Sequence, residues 1–187
     1  MTTIPAEAKE IFRWHAYSVF QRQQKLLDGS IKAFDQVKRD DTVQVIALKD
    51  NKIVLSNEVQ PHVGRRVWLF GWHVEPGEDP LNAAKRELYE EAGFHSDHRE
   101  KLNTYSYKFG IDWHVHYYIA RDCRQISEPA REPGEQVELY PISYHEFIDF
   151  IYAELFEHID LFPFIRIMID RKKAHAFIKF LQGDDKA

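Results

Sequence analysis

The sequence predicts an α+β fold built on a mixed β-sheet. Three observations predict it: β-rich segments stand both before and after one internal helical segment, further helical segments follow near the end, and strands and helices do not alternate regularly. The 187 residues suit one domain with its own core, and 44% of them are apolar. A disordered chain is therefore excluded.

Residues 1–40 are expected to form an extension, and residues 41–187 the main domain. A helix is expected over residues 6–12. The segment "QKLLDGSIKAF" then indicates two short strands joined at the Asp28–Gly29 turn.

Strand patterns dominate the next part of the chain. "TVQVIAL" (42–48) is apolar enough for a central strand, and "DNK" (50–52) turns the chain into the strand "IVLSNEV". Between Tyr105 and Ile119 apolar or aromatic residues occupy every second position, and Gly110 is expected to divide this stretch into two strands. "QVELYPI" is one more strand.

Two helices are predicted after that strand. Ser143 and Glu146 have the spacing of a capping box, which predicts a helix through about Leu155. The last helix is expected to begin near Pro163, because proline suits the first helical position.

The internal helix is predicted between Asp79 and Gly93. Pro80 disfavours a helical backbone at Asp79, whose carboxylate can then cap the free amides, and glycine is typical of a helix end. At about 100° per residue, one narrow stripe of this helix is apolar. It comprises Leu81, Ala84, Leu88 and Ala92.

Glu87, Glu90 and Glu91 share another face of this helix. Like charges at helical spacing cost stability unless a cation lies among them. Arg86 can hold Glu90 from one turn away, but no lysine or arginine follows to compensate the others. A solvated acidic face is one interpretation. The other, which we favour because the turn "EPGE" brings Glu78 and backbone carbonyls close, is a site for Mg²⁺ or Mn²⁺.

The same stretch resembles the Nudix hydrolase box, G-x5-E-x7-R-E-U-x-E-E-x-G-U, in which U is a bulky apolar residue. Eight of its nine specified positions are met, by Glu78, Arg86, Glu87, Leu88, Glu90, Glu91, Gly93 and Phe94. The ninth is Trp72, where the family has glycine. The resemblance implies a Nudix-like α/β/α sandwich with a mixed central sheet, an N-terminal β-hairpin and C-terminal helices.

The resemblance also implies a catalytic apparatus. Its metal ligands would be Gly71 (through its carbonyl), Glu87, Glu90 and Glu91, with Mg²⁺ or Mn²⁺ as the ion. Arg86 would orient a carboxylate, and Glu78 would brace the loop or reach a metal through water. A glutamate of the helix or of a later loop would accept the proton of the attacking water.

The segments "VQPHVGRRVW" and "PGEQVELYPIS" resemble the ADP-ribose and nucleoside-diphosphate-sugar pyrophosphatase branch. That branch implies hydrolysis of a nucleoside diphosphate linked to another moiety, giving a nucleoside monophosphate and a sugar phosphate. Arg65 or Arg66 would contact the diphosphate, and Glu135, or as second choice Glu138, would serve as ligand or base. The branch also implies a homodimer formed through N-terminal strands.

Other interpretations of these residues stay open. A Nudix-fold sensor that binds a nucleotide sugar without cleaving it would explain Trp72, although the intact carboxylates favour an enzyme. A nucleoside triphosphate pyrophosphohydrolase is a further alternative. Trp72 is expected to line the mouth of the site and to stack on substrate. His114 and His116 share one strand face and could bind metal, but such a pair is usually structural.

Composition limits the partners and the location. With 30 acidic and 25 basic residues the net charge is −5, which argues against nucleic-acid or anionic-membrane binding. The single cysteine, Cys123, cannot form an internal disulfide and is interpreted as a passive thiol. The chain begins without the apolar run of a signal peptide, and "LFPFIRIMID" is too short to span a bilayer. We expect a cytoplasmic protein that acts on a small nucleoside diphosphate derivative.

Overall fold

The computed structural model describes residues 4–60, 64–107, 110–130, 136–154, 164 and 171–183. The described elements are, in chain order, β1 (Lys9–Trp14), β2 (Tyr17–Lys25), β3 (Ile31–Arg39), β4 (Thr42–Lys49), β5 (Lys52–Gln60), β6 (Gly64–Trp68), α1 (Pro80–Ala92), β7 (Phe94–His95), β8 (His98–Tyr107), β9 (Ile111–Arg121), β10 (Arg124–Gln125), β11 (Gln136–Ile142), α2 (Tyr144–Glu154) and α3 (Arg171–Gln182).

Nine of these strands form one mixed sheet. Its main path is β1-β2-β3-β9-β4-β5-β11, with β6 beside β5 and β8 beside β9. Strand β4 is parallel to β9 and antiparallel to β5. All but its last residue are buried, so its predicted central place in the sheet is confirmed.

Two apolar clusters cover the two faces of this sheet. Val45 and Val54 belong to the cluster beneath α1. Their chain neighbours Ile46 and Leu55 belong to the other cluster, together with buried residues of α2 and α3. Successive side chains of a strand point to opposite faces, and each face is covered by helices. The predicted α/β/α sandwich is therefore confirmed.

The N-terminal extension differs from the prediction at its start. Residues 6–12 do not form the expected helix, because β1 pairs with β2 as an antiparallel strand from Lys9 to Trp14. This long-range pairing satisfies the backbone and overrides a weak local helix propensity. Strands β2 and β3 confirm the predicted hairpin, although each has nine residues and is longer than expected.

The predicted turns lie where the sequence indicated. Asp50 and Asn51 connect β4 to β5 with positive φ values of 50° and 57°. Gly110, at φ 75°, stands between β8 and β9. The short strands β6, β7 and β10 were not predicted.

The capping box of α2 is also confirmed. The Ser143 amide donates to Glu146 Oε2 at 2.7 Å, and Ser143 Oγ accepts from the Glu146 amide at 3.2 Å. Pro163, the expected start of the last helix, lies outside the described residues; α3 is described from Arg171 onward.

Within the described ranges, no helix is both long and apolar enough to cross a membrane. Cys123 is buried, and its Sγ donates to the Ala120 carbonyl. Burial raises the pKa of this thiol to about 11, so it is protonated at neutral pH, as expected of a passive thiol.

Candidate active site

The helix that carries the acidic face begins and ends at the predicted residues. Asp79 has extended backbone angles, and its side chain accepts a hydrogen bond from the Leu81 amide at 2.9 Å. Gly93 ends the helix in the left-handed conformation, and its amide donates to the carbonyls of Leu88 and Tyr89. These caps fix the two ends of α1.

Small side chains on α1 bring the helix close to the sheet. Ala83, Ala84, Leu88 and Ala92 are buried against the β4 side of the core. The acidic face lies beside this stripe. Glu87 is consequently only 6% exposed, which is unusual for a glutamate.

Arg86 connects the acidic residues with the loop before the helix. Its Nη1 donates to Glu87 Oε1 at 2.7 Å and to Glu90 Oε2 at 3.1 Å. Its Nε and Nη2 hold both carboxylate oxygens of Glu78, and Nη2 also donates to the His73 carbonyl. The hydrogen bond to Glu78 is the largest cause of a raised pKa at Arg86. Arg86 therefore stays charged and orients two carboxylates of the acidic face.

Glu91 is held differently. Its Oε2 accepts a hydrogen bond from the Gly71 amide at 2.8 Å. Burial, and next the charge of Glu87, raise the pKa of Glu91 well above its usual value; the Gly71 bond opposes this, while Glu58 and Glu90 add to it. Burial also raises the pKa of Glu87, although Arg86 offsets part of the effect. A divalent cation would relieve this crowding.

The loop around Trp72 is built without a strained tryptophan. Gly71 has φ 135°, and a Cβ there would lie 2.2 Å from the Val43 carbonyl oxygen, so the position requires glycine. Trp72 itself does not have a positive φ. Its carbonyl accepts from the Val43 amide, its indole is 54% exposed, and the ring stacks on His73 at 4.8 Å.

The two candidate arginines lie on opposite faces of the sheet. On β6, Arg66 stands opposite Glu58 of β5, and Arg65 stands opposite Val59. Because opposite residues of antiparallel strands share a face, Arg66 belongs with Glu58 to the α1 side of the sheet. Arg65 belongs to the other side, and its Nη1 lies 3.4 Å from Asn57 Oδ1.

The sequence also offered two candidates for the base of the late loop, Glu135 and Glu138. Glu135 lies outside the described residues. Glu138 is described, but its Oε2 accepts from Asn57 Nδ2 at 3.3 Å, on the face away from α1. The structure therefore places Glu138 away from the acidic face of α1.

The histidine pair on β9 has its own partners. His114 Nδ1 lies 3.1 Å from Asp41 Oδ1, and His116 Nδ1 lies 2.9 Å from Thr104 Oγ1. These contacts link β9 to the β3–β4 connection and to β8. They support a structural role for both imidazoles.

The donor set of the acidic face fits a hard divalent cation. It consists of carboxylate oxygens and backbone carbonyls, the ligands that Mg²⁺ and Mn²⁺ prefer. Among the described residues, no three acidic, histidine or cysteine side chains already surround one point as in a formed metal centre. Arg86 holds Glu87 and Glu90 in this conformation.

Sequence reasoning missed Ser56 and Glu58 on β5. Their signal was present, since period-two alternation in "IVLSNEV" puts both on the same face as Val54, whose side chain packs in the cluster beneath α1. The hydrogen bond that joins them, from Ser56 Oγ to Glu58 Oε1 at 2.6 Å, was not visible in the sequence.

Comparison with known proteins assigns the chain to a family. Residues 38–162 match the family model of the NUDIX domain. The match covers more than half of the chain, which therefore belongs to the Nudix family of hydrolases.

Individual relatives support the same family. The chain is 27% identical over 177 residues to an ADP-ribose pyrophosphatase of Bacillus subtilis (strain 168), covering 93% of this chain and 89% of the relative. It is 26% identical over 149 residues to a methanol dehydrogenase activator of Bacillus methanolicus, covering 78% and 80%. A crystal structure of an ADP compounds hydrolase superposes with a TM-score of 0.64 at 19% identity, covering 100% of this chain and 97% of the other, and shows the shared fold.

Proposed function

We propose that this chain hydrolyses the diphosphate bond of a nucleoside diphosphate linked to another moiety, in a reaction that depends on a divalent metal. ADP-ribose or a nucleotide sugar is the proposed substrate, with a nucleoside monophosphate and a sugar phosphate as products. The observation that carries the proposal is the set of Glu87, Glu90 and Glu91, held by Arg86 and by the Gly71 amide.

Gly71, Glu87, Glu90 and Glu91 would hold the ion, which we propose is Mg²⁺ or Mn²⁺. When bound, such an ion neutralises charge on phosphate oxygens and lowers the pKa of an attacking water. Glu78 and Arg86 keep the loop and the helix together, since Arg86 bonds both Glu78 and the His73 carbonyl. Two carboxylates are thereby oriented before substrate arrives.

Proton transfer needs a carboxylate of this site. We assign the general base to Glu135 or to one of the α1 glutamates. For Glu91, burial raises the pKa well above its usual value, which makes its carboxylate a stronger base.

Substrate recognition is assigned to groups around the acidic cluster. Arg66, on the α1 side, would contact the diphosphate, since guanidinium groups bind phosphate oxygens through paired hydrogen bonds. Arg65 would do so only by reaching around the strand edge. Trp72 would stack on the base or sugar from the mouth of the site. Similarity to an ADP-ribose pyrophosphatase over 93% of this chain supports a diphosphate substrate of this kind.

We also propose that the protein is a homodimer. Strand β1 lies at the edge of the sheet, and all six of its residues are exposed. Ile11, Phe12 and Trp14 are 55%, 57% and 64% exposed. Apolar edge strands of this kind require a cover, and a second copy of the same strand supplies one.

A substrate panel tests the proposed reaction. Purified protein would be incubated with ADP-ribose, ADP-glucose, GDP-mannose and nucleoside triphosphates, with Mg²⁺ or Mn²⁺, and products would be separated by chromatography. We expect cleavage of ADP-ribose or of a nucleotide sugar to two monophosphates. Release of pyrophosphate from triphosphates alone would assign the alternative hydrolase activity. A chain that binds these compounds and cleaves none would be the sensor.

A further inference from the structure

Residues 70–74 form a short extended segment beside the start of β4. Toward β4, the backbone of this 70–74 segment forms hydrogen bonds with Asp41, Val43 and Val45. The bond at its end runs from the Val74 amide to the Asp41 carbonyl and measures 2.8 Å. The position of the last residue of the segment therefore depends on Asp41.

The same segment also holds the acidic helix. The Gly71 amide donates to Glu91 Oε2 at 2.8 Å, and the His73 carbonyl accepts from Arg86 Nη2 at 3.0 Å. Peptide groups of an extended chain alternate in direction, so one segment can bond β4 and α1 at once. Displacing the 70–74 segment from β4 would therefore displace the groups that hold Glu91 and Arg86.

The side chain of Asp41 is anchored to β9. Its Oδ1 accepts from the His114 amide at 3.2 Å and lies 3.1 Å from His114 Nδ1. Its Oδ2 lies 3.5 Å from His116 Nε2. His116 is in turn held from β8, since its Nδ1 lies 2.9 Å from Thr104 Oγ1. Both imidazoles are largely buried, so the anchor for Asp41 is a fixed one.

Asp41 carries its charge at neutral pH. Burial raises the pKa of this partly buried carboxyl group, but His116 and His114 more than offset that effect, and the pKa lies below its usual value. Hydrogen bonds to a charged acceptor are stronger than bonds between neutral groups. The carboxylate can therefore fix the main chain at the point where it enters β4.

We propose that Asp41 is a positioning residue of this site. Held to β9 by His114 and His116, it fixes the end of the 70–74 segment, which in turn holds the Gly71 amide and the His73 carbonyl against α1. The inference rests on the proposed function, because the groups that it positions belong to the proposed metal site. It also gives the histidine pair a specific structural role, which is to hold Asp41.

Hydrogen exchange of single amides, followed by nuclear magnetic resonance, tests the anchor without reference to catalysis. We expect Asp41→Ala to raise the exchange rate of the Val74 amide at least about tenfold, because losing hydrogen bonds to a charged group eases local opening by about that factor. The Val45 amide bonds the other end of the segment, at Phe70, and its rate should rise by a clearly smaller factor. A general loss of stability would raise both rates alike.

Steady-state kinetics with Mg²⁺ and a diphosphate that the panel shows to be cleaved tests the positioning. We expect Asp41→Ala to lower kcat about tenfold and to leave KM within about twofold, because Asp41 acts on the groups that orient the metal site and does not touch substrate. Asp41→Asn keeps the size and one acceptor oxygen but loses the charge. It should show the same two effects by smaller factors.

Asp122→Asn is the matched control for Asp41→Asn. It removes the charge from another aspartate–histidine pair, at the far end of β9, where Asp122 Oδ2 lies 2.8 Å from His98 Nδ1. It should change neither the Val74 exchange rate nor kcat.

A wild-type exchange rate at Val74 in Asp41→Ala would overturn this inference and leave the proposed function standing. Faster exchange with an unchanged kcat would overturn it too, since Asp41 would then serve only the fold. If Asp41→Ala does not fold, wild-type exchange or a wild-type kcat in Asp41→Asn overturns the inference instead. A wild-type protein that cleaves no substrate would overturn the proposed function, and the positioning role with it, whatever the exchange rates show.

Discussion

Trp72 occupies the box position at which the family pattern has glycine. The structure shows why a tryptophan is tolerated: the close approach to β4 and the positive φ both fall on Gly71, one residue earlier. The Trp72 backbone still pairs with β4, and its side chain is left at the surface of the loop. A single substitution in a motif can thus leave the backbone geometry intact and add a contact surface.

Replacing this tryptophan measures what the indole contributes. Stacking on a base is worth about 1–3 kcal/mol, and a group remote from the reacting atoms contributes mainly to uniform binding. Trp72→Gly should therefore raise KM several-fold and leave kcat nearly unchanged in steady-state assays. Tyr152→Ala, which removes another exposed aromatic side chain from α2, should alter neither constant. If Trp72→Gly changes neither KM nor kcat, Trp72 serves only packing. If the wild-type protein is inert and Trp72→Gly hydrolyses the substrate, the sensor alternative is correct.

At the scale of single elements, the C-terminal end of α1 depends on the glycine at position 93, Gly93. Gly93 has φ 65°, and a Cβ there would lie 1.9 Å from the Ser127 carbonyl oxygen. The segment after β10 also donates to the Gly93 carbonyl from the amides of Ile126 and Ser127. The helix end and this segment therefore fit only with glycine between them.

Gly93→Ala should consequently destabilise the protein severely. The left-handed conformation alone costs about 1–2 kcal/mol for a residue with a Cβ, and the backbone clash adds to that cost. Gly29→Ala is the matched control, because Gly29 has φ 86° but no heavy atom within 4 Å of an added Cβ. Urea unfolding should show a clearly larger loss of unfolding free energy for Gly93→Ala. Equal losses of unfolding free energy would mean that Ser127 can shift to accommodate the added Cβ at little cost.

Elements set by local signals could be predicted from the sequence. The α1 bounds follow from Asp79-Pro80 and Gly93, and the start of α2 follows from the Ser143–Glu146 box. Strand β1 could not be predicted, because its conformation depends on pairing with β2 rather than on local propensity.

The same distinction applies to the site. Helical spacing placed the three α1 glutamates on one face, and it predicted the contact between Arg86 and Glu90. The sequence left Arg65 and Arg66 as alternatives, because only the pairing of β5 with β6 assigns them to different faces. The hydrogen bond between Ser56 and Glu58 was missed for a similar reason, since it depends on how β5 lies in the sheet.

At the scale of the whole molecule, the exposed β1 edge predicts association. Light scattering at micromolar concentration should give a particle of twice the 22.2 kDa of the chain. Phe12→Glu should shift it to the monomer, because a charge in an apolar interface is not solvated. Tyr152→Glu places the same charge on exposed α2 and should leave the dimer intact. A wild-type mass of 22.2 kDa would contradict the proposed dimer.

The most direct test of the central claim is the metal dependence of hydrolysis. With ADP-ribose, or whichever diphosphate of the panel is cleaved, the initial rate is measured with Mg²⁺, after addition of excess EDTA, and after Mg²⁺ is restored. We expect EDTA to abolish the reaction and Mg²⁺ to recover it. Glu90→Gln and Glu91→Gln should lower kcat by at least about 100-fold while circular dichroism shows a retained fold, because each removes a carboxylate that the ion requires. Full activity in excess EDTA, or in both variants, would contradict the assignment of a metal-dependent hydrolase site to this helix.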